Sequence, residues 1–222
     1  MTKGEDPRTP KGDRRPLASR DTRWAQATAR YLASRAITPN LISKGSIVAG
    51  ILAGAAFWLA GRSDGMARIA LLIAAALFCQ LRLLCNLFDG MVAVEGGKAE
   101  ADGPFWNEFP DRVADVAIMA GIGYGVDMPG LGWAAACFSV LTAYVRELGR
   151  ANGGPSDFSG PMAKQHRMAL VTAAALLSIL EPLWNGRNDV LIVALAIVAV
   201  GSAVTALRRG YRQIAWLKGN RG

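Results

Sequence analysis

The 222-residue chain is 52% hydrophobic and carries a formal net charge of +8. A soluble domain of this size would be less apolar and would not hold so many long apolar runs. Aromatic residues make up only 8%, and the basic residues sit between and after apolar stretches rather than along one face. That pattern argues against a nucleic-acid binder and for membrane topology.

Residues 1–20 are charged, rich in Pro, Arg and Asp, and lack an apolar core segment. They read as a disordered cytosolic tail rather than a cleavable signal peptide. In residues 21–35, Trp24, Ala27, Tyr31 and Leu32 recur at helical spacing with Arg23, Arg30 and Arg35 between them. This predicts an amphipathic helix lying in the membrane interface. Thr38-Pro39-Asn40 then breaks that helix and starts the next.

Six apolar segments follow, near residues 41–61, 66–94, 109–127, 130–149, 167–184 and 189–207. Each approaches the roughly 20 residues that cross a bilayer at about 1.5 Å per residue. The expected fold is all-α: a polytopic membrane protein with six transmembrane helices preceded by the interfacial helix. Residues 21–222 are expected to form a single membrane domain. Gly50 and Gly54 make a small-xxx-small pair, which suits either an interface or internal packing. Cys79, Cys85 and Cys137 lie in apolar segments without metal-ligand spacing and read as small buried hydrophobes.

Lys and Arg distribution sets the orientation. With the N-terminus in the cytosol, the 95–110 and 146–167 loops and the C-terminus share that side. They hold Lys98, Arg112, Arg146, Arg150, Lys164, Arg167, Arg208, Arg209, Arg212, Lys218 and Arg221, against Arg62, Arg68 and Arg187 opposite. Both termini and the site described next are therefore expected on the cytoplasmic face of a bacterial inner membrane.

Asn86-Leu-Phe-Asp89-Gly90-Met-Val-Ala93 ends the second segment, and Asp111-Arg-Val-Ala-Asp115 opens the third. Asn86 and Asp89 are three apart and Asp111 and Asp115 four apart, so each pair shares a helix face. The intervening loop suggests antiparallel neighbours whose faces meet. Carboxylates in such apolar surroundings persist where they face a cavity, a partner or a metal. Three carboxylates and an amide oxygen would suit a hard divalent cation, and two ions could clamp a phosphoryl group. The small Gly90 and Ala93 suit either phosphate access or tight packing.

These residues resemble the signature of the CDP-alcohol phosphotransferase family, D-x-x-D-G-x-x-A-R, then eight residues, then G-x-x-x-D-x-x-x-D. The resemblance covers roughly residues 20–215 in architecture and 86–115 in signature. It implies transfer of a substituted phosphate, phosphatidyl above all, from a CDP-linked lipid or alcohol donor to an alcohol acceptor, with release of CMP in phospholipid biosynthesis. It further implies Mg²⁺ or Mn²⁺, two ions, held by Asn86, Asp89, Asp111 and Asp115. Asp115 matches the family aspartate proposed as base. Membrane lipid and a homodimer partner are also implied, and no nucleic acid. Asn86 replaces the first aspartate, Val94 the arginine and Asn107 a glycine, and the loop is four residues longer.

Arg82, one turn before Asn86, is expected to face the polar cavity. With Gly90, Ala93 and Lys98 it forms the expected donor site. Arg112, Arg146, Arg150, Lys164, His166 and Arg167 form the expected acceptor or phosphate site. For the patches around Arg146 and Lys164, flanking charge is the competing explanation. Two other functions fit the same sequence: an inactive scaffold of this fold, and an ion-binding transporter.

Overall fold

In a computed structural model, residues 22–220 are described apart from 36, 96, 99 and 185; the tail expected at 1–20 lies outside the described residues. Helix α1 spans Arg23–Ser34, α2 Pro39–Gly61, α3 Gly65–Glu95 and α4 Gly103–Gly125. Helix α5 spans Pro129–Ala151, α6 Lys164–Leu177 and α7 Asp189–Asn220. A 3₁₀ turn over Ser178–Trp184 extends α6. Pro182 inside it has no N–H for the helical ladder, which suits a short tightened end.

Helix α1 buries Ala25 and Ala29 against Leu87, Phe88, Met91 and Val92 of α3, while Trp24 and Tyr31 stay exposed. Trp24 meets Phe88 edge-on, with centroids 6.0 Å apart. The face that packs on protein is thus not the one the spacing marked: Ala27 is exposed as well, and only Leu32 of the four predicted residues is half-buried against the cluster. Thr38 caps α2 by accepting from the Leu41 amide at 3.2 Å, and Pro39 takes a first-turn position where its missing N–H costs nothing.

Long helices replace all six predicted apolar segments, but only four among the described residues are long and apolar enough to cross a membrane. These are Pro39–Gly61, Gly65–Val94, Lys164–Trp184 and Asp189–Asn220. Helices α4 and α5 have 23 residues each, about 35 Å of helix. Glu108, Asp111, Arg112 and Asp115 break the apolarity of α4, and Arg146, Glu147 and Arg150 that of α5.

Small residues set the packing. A Cβ on Gly50 would fall under 3.0 Å from Ala114, one on Gly54 from the Ala117 carbonyl, and one on Gly61 from Gly125. Gly50 and Gly54 therefore serve internal packing of α2 on α4. Helix α2 lies between α3 and α4 for most of their length and packs closely on both. The two acid-bearing helices are thus not the side-by-side neighbours that the loop suggested; they meet only around the site. The apolar core, with Phe57, Leu72, Ile118, Met119, Met168 and Leu195, lies below it.

Helices α2, α4 and α6 begin at one end of the bundle, where α3 and α5 finish and α7 passes, and this end is polar. Arg68 closes the other end. Its guanidinium donates to Glu181 Oε2 at 2.6 Å, Asn188 Oδ1 at 2.6 Å and the Ala60 carbonyl at 3.1 Å. Glu181 also accepts from the Asn188 and Val190 amides, which ties the starts of α3 and α7 together.

Candidate active site

The polar end surrounds a cavity of about 810 Å³. Asn86, Asp89, Gly90 and Ala93 line it from α3, and Asp111, Arg112 and Asp115 from α4. Arg146 and Arg150 line it from α5, and Lys164 and Arg167 from α6. The helical spacing explains the grouping: Asn86 with Asp89, and Asp111 with Asp115, each fall on one face and turn toward the gap where α3 and α4 converge. Cavities of this size hold a nucleotide-sized ligand.

The acids are buried and each is held differently. Asp89 accepts from the Ser43 hydroxyl at 2.7 Å and the Gly90 amide at 2.6 Å, and it makes no ion pair among the described residues. Asp111 pairs with Lys164, with Arg82 Nη2 at 3.3 Å and with Arg112 at 3.7 Å, and accepts from Asn86 Nδ2 at 2.8 Å. Asp115 gives one oxygen to Arg82 at 2.8 Å and the other to Arg167 at 2.6 Å. Two of the three carboxylates, Asp111 and Asp115, thus face Arg82, Arg112, Lys164 and Arg167 within the protein.

This arrangement differs from the oxygen cluster expected from the sequence. No three His, Cys, Asp or Glu side chains converge on one point as a metal's donor set among the described residues. Asn86 turns its amide N–H to Asp111 and its Oδ1 toward Ser46, whose hydroxyl lies 3.3 Å away. Residues so arranged do not fit the two-ion centre that the signature implies.

Three expected site residues lie elsewhere. Arg82 is fully buried and stands behind Asp111 and Asp115 rather than on the cavity wall, because i−4 spacing puts it one turn deeper along the same face. Lys98 donates to the Ala33 carbonyl at 2.5 Å and so fastens the loop to α1. His166 is exposed, with Nδ1 3.1 Å from the Pro161 carbonyl. It directly precedes Arg167, and about 100° of helical rotation separates their directions.

Other residues of the site escape a reading centred on the signature. Asn40, Ser43 and Ser46 are buried at intervals of three on α2, a polar stripe within an apolar span that would have marked them. Asn40 Nδ2 donates to Glu100 and, at 2.8 Å, to Asp102, and so ties the extra loop to α2. That bond, with one from the Trp106 indole, holds the Asp102 carboxyl below its ordinary range. Glu108 binds both Arg112 and Arg146, while Arg209 donates to the Thr142 carbonyl at 2.8 Å.

No family model matches the chain. In sequence it is 27% identical over 203 residues to a phosphatidylinositol phosphate synthase of Streptomyces avermitilis, covering 85% of this chain and 77% of that protein. In structure it resembles the phosphatidylinositol phosphate synthase of Mycobacterium tuberculosis with CDP-DAG bound, at TM-score 0.72 and 20% identity, over 86% of this chain and 94% of that one. The same Mycobacterium tuberculosis protein in complex with manganese and citrate gives TM-score 0.70 and 19% identity, over 85% and 88% of the two chains. These findings bear out the resemblance to the CDP-alcohol phosphotransferase family read from the signature.

Proposed function

We propose that the chain transfers a phosphatidyl group from a CDP-linked lipid to an alcohol, with release of CMP, at the cytoplasmic face of the membrane. The observation that carries this reading is the cavity, which gathers acids and bases from five helices at one end of an apolar bundle. The CDP-DAG bound by the Mycobacterium tuberculosis protein supports the donor. The relatives' names support a phosphatidylinositol phosphate as the kind of product. Basic residues near the cytosolic loops, and the intervening apolar spans, support the orientation and the reading of all six long helices as spans.

In this mechanism the acceptor hydroxyl attacks the phosphorus that bears the lipid. A P–O bond to the acceptor forms, the pyrophosphate P–O bond breaks, and CMP leaves. Asp89 takes the acceptor proton, since its bonds are to a hydroxyl and an amide and it makes no ion pair among the described residues. The resemblance points instead to Asp115 as base. Both oxygens of Asp115 are committed to guanidinium groups, which suits it to positioning Arg167. Lys164 and Arg112 border the cavity beside Asp111 and offset charge on the departing phosphate. Gly90 and Ala93 leave room on the α3 wall for the nucleotide.

A divalent ion in the reaction is supported by the manganese of the Mycobacterium tuberculosis protein. The donor set here does not fit two, and no step above is routed through an ion. The test is CMP release from CDP-diacylglycerol with a panel of alcohols and alcohol phosphates. Release with one of them supports the reading. Tight binding of the donor without release under every acceptor would favour an inactive scaffold.

A further inference from the structure

The ion pairing of Asp111 and Asp115 has a consequence for metal binding. Arg82 has no solvent exposure, and its Nη2 bridges Asp115 Oδ1 at 2.8 Å, Asp111 Oδ1 at 3.3 Å and the Asp111 carbonyl at 3.1 Å. The remaining oxygens of the pair take Lys164 and Arg167. Asn86 adds an amide donor to Asp111 at the position where the family signature has a carboxylate. Every carboxylate oxygen of Asp111 and Asp115 therefore already faces a cationic donor.

We infer that this chain does not assemble a two-ion centre: the Arg82 guanidinium bridges Asp111 and Asp115 and takes the carboxylate oxygens that a second divalent ion would need. The inference deepens the function proposed for this cavity and concerns how the same acids are neutralised. Two physical facts carry it. First, a dication at Asp111 and Asp115 would have to expel Arg82, whose Nε and Nη1 already lack hydrogen-bond partners in the buried interior. Losing its carboxylates as well would leave a buried guanidinium without compensation, a state proteins avoid. Second, with Arg82 in place a dication at Asp111 and Asp115 would meet two carboxylates that already face Arg82, Arg112, Lys164 and Arg167, and would gain little Coulomb energy on entry.

The test counts ions, so it stands apart from turnover. Mn²⁺ is titrated into the purified full-length protein in detergent, and free ion is followed by electron paramagnetic resonance. The wild type is expected to bind no more than one Mn²⁺ per chain; two would overturn the inference. The paired change Asn86→Asp with Arg82→Gln removes the guanidinium and restores the carboxylate, and is expected to bind one Mn²⁺ more than wild type. An unchanged count in the folded double variant would show that Arg82 is not what limits occupancy. Asn86→Asp alone, which keeps Arg82 in place, is expected to keep the wild-type count; a gain there would also contradict the role given to Arg82. Absence of CMP release with a count of no more than one would remove the proposed function and leave this inference standing.

Discussion

Arg82 Nη2 lies 2.8 Å from Asp115 Oδ1, and neither residue is more than 2% exposed. A buried pair of this kind stabilises weakly as a whole but is costly to break from one side, by about 3–5 kcal/mol. Asp115→Asn strips the charge from a group that holds both Arg82 and Arg167. We expect it to destabilise the protein by about 3 kcal/mol or more, read as a lowered melting temperature in detergent. A variant as stable as wild type would show that the pair does not position these helices.

Asp89→Asn should behave in the opposite way. The amide keeps the size of the side chain; its oxygen can accept from the Gly90 amide while its NH2 donates to the Ser43 hydroxyl, which still donates to the Pro39 carbonyl, so the melting temperature should move little. CMP release should fall on the order of 100-fold or more, the usual worth of a positioned base. Ser43→Ala, which leaves the carboxylate charged but removes its hydroxyl donor, should cost about 1 kcal/mol of stability and a smaller share of the rate. A turnover rate preserved in Asp89→Asn would move the base elsewhere.

The contrast between these two acids shows where sequence reasoning stops. Their presence on helix faces followed from spacing, and so did most of the helical segments, α1 included. What surrounds each acid did not follow. Lys164 and Arg167 come from a helix about fifty residues further along the chain, and beside a membrane segment a basic residue is first explained as flanking charge. The placement of α2 between α3 and α4 rests on glycines whose use, internal packing or an interface, is decided only by what they meet. Arg82 lay within reach of the reading, since its i−4 relation to Asn86 puts it on the acidic face; that the same relation sinks it behind the acids is a matter of depth.

Those glycines make a third expectation. Gly54 and Gly121 approach so closely that a Cβ on Gly121 would fall under 3.0 Å from the Gly54 carbonyl, and one on Gly54 under 3.0 Å from Ala117. Backbone cannot yield as a flexible side chain does. Gly54→Ala and Gly121→Ala should each destabilise by about 1–3 kcal/mol, as overpacking does, and also shift α4, so CMP release should fall with stability. Gly130→Ala meets open space and is expected to be silent in both assays.

The far end of the bundle supplies the opposite control. Glu181 is 1% exposed and accepts from Arg68, Asn188 and Val190. Glu181→Gln turns one acceptor into a donor facing donors and removes the charge opposite Arg68. We expect a loss of about 3 kcal/mol with CMP release per folded molecule unchanged, because none of these groups lines the cavity. Thermal melting and turnover normalised to folded protein check the two halves separately.

The most direct measurement is the mass of the lipid formed when the purified protein, in vesicles with divalent cation present, is given CDP-diacylglycerol and the acceptor panel. We expect a phosphatidyl ester of one acceptor, formed in equal amount with CMP and absent with Asp89→Asn. Unchanged donor under every acceptor, or cleavage of the donor to phosphatidic acid and CMP alone, would contradict transfer as the function of this cavity.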